Sequence, residues 1–385
     1  MNSAESHLQE NWLKNIILFL SSQTISLFGS SLVQYAIMWH ITLTTQSGFM
    51  MTLYIICGFI PTFILSPVAG VWADRYNRKV LIMLADGLIA TATLVLAILF
   101  LMGFDSIWLL FVMAAVRAFG AGIQTPAVGA ILPQIVPKDK LTKVNGANGS
   151  IQAIIMFISP MVSAALLATV SLEIIFFIDV VTAALAIVTL LTFVKVSVHK
   201  KAMGKQEVSY FSDFKQGIRY VNNHAFLKQF FLFFAVFFVL MAPAAFLTPL
   251  QVTRSFGDDV WRLTAIEIAF SVGMMIGGGV IAAWGGFQNR IKTLGLASVI
   301  MGVCTLALGL VPIFWLYLGF MGLFGVMGMI STSMMPLGML VFGPLADWIS
   351  VEWLLIGTGI FIVILAIFLG RNKVLIESEK NTLNV

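Results

Sequence analysis

Apolar runs recur along the whole chain, at about 15–39, 48–71, 80–102, 107–126, 151–169, 174–194, 226–250, 263–284, 293–311, 313–345 and 351–370. Wound as a helix rising about 1.5 Å per residue, a run of about twenty residues matches the roughly 30 Å hydrocarbon core of a bilayer. The strands of a membrane barrel would instead alternate apolar and polar over about ten residues. The pattern predicts an all-α integral membrane protein. One substantial polar segment interrupts it, Lys195 to Asn223, which contains His199, Lys200, Lys201, Lys205, Lys215 and Arg219. It divides the chain into an N-terminal six-helix bundle at 1–194, a cytoplasmic linker at 195–223 and a C-terminal helical bundle at 224–385.

Composition agrees. Of 385 residues, 59% are hydrophobic and 10% charged, with mean hydropathy +0.99, so no stretch is left for a separate soluble catalytic domain. No nucleophile triad, metal cluster or phosphate loop stands out, which argues against an enzyme and against any cofactor. Cys57 and Cys304 both lie inside apolar runs and read as packing residues. The net charge of +5 comes from short interhelical loops without an aromatic-basic module, so no nucleic-acid partner is expected. Loops rich in lysine and arginine stay in the cytoplasm. With a cytoplasmic N-terminus, Lys14, Arg75, Arg78, Lys79, Lys138, Lys140, Lys143, Arg290 and Lys292 all fall inside, and only Arg254 and Arg262 fall outside.

A repeat underlies the pattern. Trp72, Asn77, Arg78, Leu84, Ala85, Thr93 and Leu94 recur 212 positions later as Trp284, Asn289, Arg290, Leu296, Ala297, Thr305 and Leu306, a two-halves architecture. Further on, Pro160 matches Pro336, and Ser171-Leu172-Glu173 matches Ser350-Val351-Glu352, at offsets of 176 to 179. Gly122 and Pro160 are 38 positions apart, whereas Gly328 and Pro336 are 8 apart. The second half therefore lacks about thirty residues, corresponding to the end of helix 10 and the start of helix 11. This accounts for the uncharged stretch Ile313 to Leu345, which is too long for one crossing and too short for two. The alternative is a tight hairpin at Gly325 to Gly328.

The loop after the second span reads Gly70-Val-Trp-Ala-Asp74-Arg75-Tyr-Asn77-Arg78-Lys79. Its bases could serve topology alone. The order of residues, however, resembles the signature loop of the major facilitator superfamily, with Asn77 where glycine is usual. The resemblance implies that fold: two pseudo-repeated six-helix bundles. It also implies that Gly70, Asp74, Arg75, Arg78 and Lys79 form a conformational latch, in which the acid meets the eleventh helix and holds the outward-facing state. Here the start of that helix falls in the missing stretch.

Ionisable residues inside spans are costly and mark function unless paired. Arg117 in the fourth span resembles the superfamily's buried arginine, to which a part in proton transfer is assigned. Its bland reading is a cap on nearby carbonyls. Asp86 lies a turn or two from the cytoplasmic loop, where pairing with Arg75 or Arg78 is the simpler reading. Asp179 and Glu267 have no base nearby in sequence. A carboxyl in a low-dielectric cavity holds a proton more readily than one in water, so Asp179, Glu267 and Asp86, with Arg117, are the proton-coupling candidates. The first span carries Gln23, Ser30 and Gln34 among other polar residues that lipid would tolerate poorly. These three and Pro160 of the fifth span are the substrate-cavity candidates.

Thirty-two Phe and twenty Met suit a soft apolar cavity for large amphiphiles, although most of them pack or face lipid. Beyond the superfamily, the chain resembles the bacterial macrolide-efflux branch of drug exporters, through Gly70 to Lys79, the Arg117 helix, Gln124-Thr125-Pro126-Ala127, Leu141-Thr142-Lys143, Phe177-Ile178-Asp179 and Ile266-Glu267-Ile268. That implies a monomer in the bacterial inner membrane that exports amphiphilic drugs in exchange for protons. A carrier of a physiological metabolite such as a siderophore, or a truncated form without transport, is the alternative.

Overall fold

The computed structural model describes residues 12–194, 196, 225–284, 290–327 and 360. The described residues are helical apart from short connections. In order they form α1 (Trp12–Thr45), α2 (Gly48–Arg75), α3 (Arg78–Leu101), α4 (Ile107–Ile135), α5 (Leu141–Thr169), α6 (Leu172–Phe193), α7 (Ala225–Phe246), α8 (Thr248–Ser255), α9 (Val260–Trp284), α10 (Arg290–Leu310) and α11 (Phe314–Val326). Eight stretches among them are long and apolar enough to cross a membrane. The chain divides into two compact units, Met1–Ile41 with Leu53–Met203, and Thr42–Thr52 with Gly204–Val385. The expected linker, apart from Val196, lies outside the described residues.

Several boundaries differ from those the apolar runs suggest. The fourth helix does not stop at Pro126 but continues through Pro133 to Ile135. A proline inside a membrane helix is tolerated because neighbouring groups satisfy the backbone it strands. The fifth begins at Leu141 rather than near 151, because Asn145, Gly146, Asn148 and Gly149 break the apolar run without breaking the helix. The seventh run is not one helix. It breaks at Leu247, and Pro249 sits in the first turn of α8, where its missing N–H costs nothing. The stretch after Gly328, where the second half is expected to run short, lies outside the described residues apart from residue 360.

In the first unit α3 packs on both α4 and α6. Its outer face is apolar, and its buried face, mostly apolar too with Ile82, Leu96 and Phe100, also holds an acid and a hydroxyl. Leu84, Leu88, Val95, Ile98 and Leu101 are exposed, while Asp86, Thr93 and Ile89 are buried. Such a helix makes sense only where the surrounding solvent is lipid. The end of the unit that holds the α2–α3 loop is closed by an apolar cluster of Ile16, Phe19, Ile82, Ile131, Leu132, Ile135 and Leu190. Hydroxyls stitch helices together elsewhere: Thr62 donates to the Ala118 carbonyl at 2.6 Å and Ser163 to that of Leu32 at 2.9 Å.

In the second unit α9 packs on α11 at backbone distance. A Cβ at Gly273, Gly277 or Gly325 would collide with the backbone of Gly322, Val326 or Phe270 respectively, so these glycines are packing contacts. Gln251 of α8 is buried. Its amide donates to the Leu308 carbonyl at 2.9 Å and its oxygen accepts from the Tyr317 hydroxyl at 2.9 Å, which ties α8 to α10 and α11.

Candidate functional site

Four helices of the first unit converge on one buried acid. Asp179 of α6 is fully buried, and its Oδ2 forms an ion pair with Arg117 of α4 at 2.5 Å, the arginine side chain being 11% exposed. Its Oδ1 accepts from Ser30 of α1 at 3.2 Å. Thr93 of α3 completes the cluster. Its hydroxyl accepts from Arg117 at 3.0 Å and lies 3.2 Å from Asp179 Oδ2 and 2.8 Å from the Ile89 carbonyl. Having one proton, it donates to one of those two acceptors at a time. The second arm of Arg117 donates to the Ser30 carbonyl at 2.8 Å. Arg117 thus caps a carbonyl and also neutralises a carboxylate.

The close approach of α1 to α6 permits this. Gly29 sits against Thr182 and Asp179, and a Cβ there would stand 3.2 Å from Asp179 Oδ1. Only a glycine lets the next residue, Ser30, reach the acid.

Asp86 does not pair with Arg75 or Arg78. Eight residues, more than two turns or about 12 Å, separate it from Arg78 along α3. Arg78 turns the other way, donating to the Ala73 carbonyl at 2.8 Å and the Ala130 carbonyl at 2.6 Å. Asp86 Oδ1 accepts instead from Gln124 at 2.6 Å and Ser26 at 3.2 Å. Glu267 is half-buried in α9 and has no ion-pair partner among the described residues.

The signature loop proves to be a set of helix caps. Asn77 is the N-cap of α3, its side-chain oxygen accepting from the Lys79 backbone N–H at 3.0 Å. Lys79 donates to the carbonyls of Leu191 and Val194 at 3.1 and 2.8 Å, where α6 ends and its carbonyls lack partners. Arg75 is exposed and Gly70 half-buried. The side chain of Asp74 and the start of the eleventh helix, the two parts of the expected latch, lie outside the described residues.

Among the expected cavity residues, Ser30 is bound to Asp179 and Pro160 is buried in α5. Gln34 is exposed, and its carbonyl accepts from the Tyr54 hydroxyl at 2.9 Å. The Gln23 amide nitrogen is buried without a hydrogen-bond partner among the described residues. Sequence reasoning missed Thr93, Ser26 and Gln124 as members of these clusters. Helical spacing carried the signal, because Thr93 follows Asp86 by seven residues, Gln124 follows Arg117 by seven, and Ser26 precedes Ser30 by four.

Residues 16–339 match the family model of the Major Facilitator Superfamily. Macrolide efflux protein A of Streptococcus pyogenes is 27% identical, covering 93% of this chain and 95% of its own. The Enterococcus faecalis protein of the same name is 29% identical over 66% of this chain and 79% of its own. The Staphyloferrin A transporter of Staphylococcus aureus is 26% identical over 39% of this chain and 38% of its own. The alignment with the S. pyogenes protein has 387 positions, yet 93% of 385 residues is about 358, so about thirty of its positions face no residue of this chain. Among solved structures, the nucleoside transporter NupG superposes with a TM-score of 0.67 at 14% identity, covering 93% of this chain and 98% of that one. A POT family transporter in complex with a thioalcohol-conjugated peptide gives 0.68 at 10%, covering 92% and 95%. The chain belongs to the Major Facilitator Superfamily and is a multi-pass membrane transporter of small substrates, not an enzyme.

Proposed function

We propose that this transporter exports amphiphilic, macrolide-like drugs in exchange for protons by alternating access. It works as a monomer in the bacterial inner membrane, with its N-terminus in the cytoplasm and the proton gradient in place of any cofactor. The observation that carries the coupling is the buried Arg117–Asp179 pair with its hydroxyl partners. With Asp179 ionised, the pair clamps α1, α3, α4 and α6 together. A proton on Asp179 cancels the charge that holds Arg117, so protonation and helix packing are linked. The repeat is asymmetric in this respect, because Ser298 stands 212 residues beyond Asp86 and, at the 206-residue offset that pairs Gly122 with Gly328, Leu323 stands beyond Arg117.

The macrolide reading rests on relatives that match nearly the whole chain, at 93%. A siderophore-like substrate is the second reading, favoured by the partial match to the Staphyloferrin A transporter. We place the missing thirty residues after Gly328, where the repeat spacing shortens. The test is cellular accumulation of a radiolabelled macrolide with and without a protonophore. Exclusion that the protonophore abolishes supports drug–proton exchange. Exclusion that survives it rejects the coupling, and indifference to macrolides in active cells rejects the substrate class. Failure with every substrate identifies a truncated, transport-deficient form.

A further inference from the structure

A second buried carboxyl lies beside the first and is built from the same helices. Asp86 is 3% exposed; Ser26 and Gln124 both donate to its Oδ1, and its Oδ2 is buried with no hydrogen-bond partner among the described residues. Ser26 comes from α1, Asp86 from α3 and Gln124 from α4, the three helices that supply Ser30, Thr93 and Arg117 to Asp179. The offsets are four residues on α1 and seven on α3 and α4, one and two turns, so each helix presents both sets on one face. All three offsets run the same way, setting Asp86 nearer the end of the unit that holds the Asn77 loop.

The two acids differ in what surrounds them. Asp179 has a cation and hydroxyls on both oxygens. Around Asp86, α1 offers Ser26 and α4 offers Gln124, both uncharged. The charged groups on the helices packed against α3 are Arg117 of α4 and Asp179 of α6, already paired with each other, and Glu173 in the first turn of α6. No base among the described residues pairs with it. An ionised Asp86 would hold an uncompensated charge out of water with one oxygen bare of donors, the kind of burial that proteins avoid by neutralising the group. A proton on Oδ2 removes the charge and leaves both bonds to Oδ1 in place.

We infer that Asp86 is a second proton-binding site of the first unit, carrying a proton on Oδ2 while Asp179 is ionised against Arg117. The proton comes from water as hydronium and returns to it, the carboxyl passing between charge −1 and 0 with no other bond made or broken. The use of this site in transport rests on the proton-exchange reading above, but its protonation does not.

The test is infrared spectroscopy of the purified chain in lipid nanodiscs at neutral pH, following the carbonyl stretch of protonated carboxyl groups. The wild type should show a component that is lost in Asp86→Asn and kept in Asp179→Asn. Its absence from the wild type, or its persistence in Asp86→Asn, overturns the inference. Should Asp86→Asn fail to fold, Gln124→Leu keeps the acid and removes one donor to Oδ1. The component should then shift in frequency, and an unmoved band overturns the inference. A band present in a chain whose export ignores protonophores would sink the coupling and leave this site standing. Protonophore-sensitive export without the band would do the reverse.

Discussion

Gly29 of α1 meets the side chain of Thr182 of α6 with no room for a methyl group: a Cβ at 29 would stand 3.0 Å from Thr182 Cβ and closer still to its hydroxyl. The contact sets the distance across which Ser30 reaches Asp179. Gly29→Ala should therefore force the two helices apart, costing about 1–3 kcal/mol as an overpacked core does, and should weaken export along with stability. Gly87→Ala is the control, since a Cβ there meets nothing within 4 Å. Thermal melts of the two variants in detergent should separate them. Equal melting temperatures would show that α1 and α6 do not depend on the contact.

The Arg117–Asp179 pair should behave as a unit. Removing one partner strands a buried charge, a loss of about 3–5 kcal/mol, whereas removing both leaves a smaller defect. Arg117→Ala and Asp179→Asn alone should each melt well below the wild type, and the double variant should recover part of the loss. A double variant that sums the two single losses would mean the groups act independently. Drug export should fall in all three.

The membrane-spanning helices of the first unit and the two members of that pair were legible in the sequence; the pair itself was not. Arg117 and Asp179 stand out because a charge inside an apolar run is rare, and either could be picked without knowing the fold. Which acid meets Arg117 depends on how α4 and α6 rotate against each other across a separation of 62 positions, and a single chain carries no direct record of that. Nearness along the chain misled in the case of Asp86. Arg78 looked like its partner but serves carbonyls at the ends of α2 and α4. Boundaries failed for a related reason. Hydropathy marks where a helix is greasy, and the polar first turns of α5 are helical without being greasy.

Asn77 explains how this chain departs from the signature loop it otherwise follows. Where glycine is usual, the asparagine caps α3 through the Lys79 N–H. Asn77→Ala should cost about 1 kcal/mol and Asn77→Gly only a few tenths, because glycine is itself an acceptable N-cap. Melting temperatures should rank wild type, glycine and alanine in that order. A glycine variant as unstable as the alanine one would mean that the side chain has a role beyond the cap.

The two cysteines give a direct reading of which surfaces face lipid. Cys57 is half-buried and, with Leu53 and Pro61 of α2, Leu88 of α3 and Trp108, Phe111 and Phe119 of α4, lines an open apolar groove of about 750 Å³. Cys304 is fully buried in α10. In a bilayer, an apolar groove of this kind admits hydrocarbon and excludes charged solutes, whose transfer out of water is prohibitive. Maleimides add to the thiolate, which hydrocarbon does not solvate. Neither a lipid-soluble maleimide nor a sulfonated, water-soluble one should therefore modify either cysteine of the native chain, and both cysteines should react once the chain is denatured in detergent. Mass spectrometry of membranes treated with each reagent distinguishes the sites. Labelling of Cys57 by the charged reagent would place that groove against water, and labelling of Cys304 by either would show that α10 opens to its surroundings.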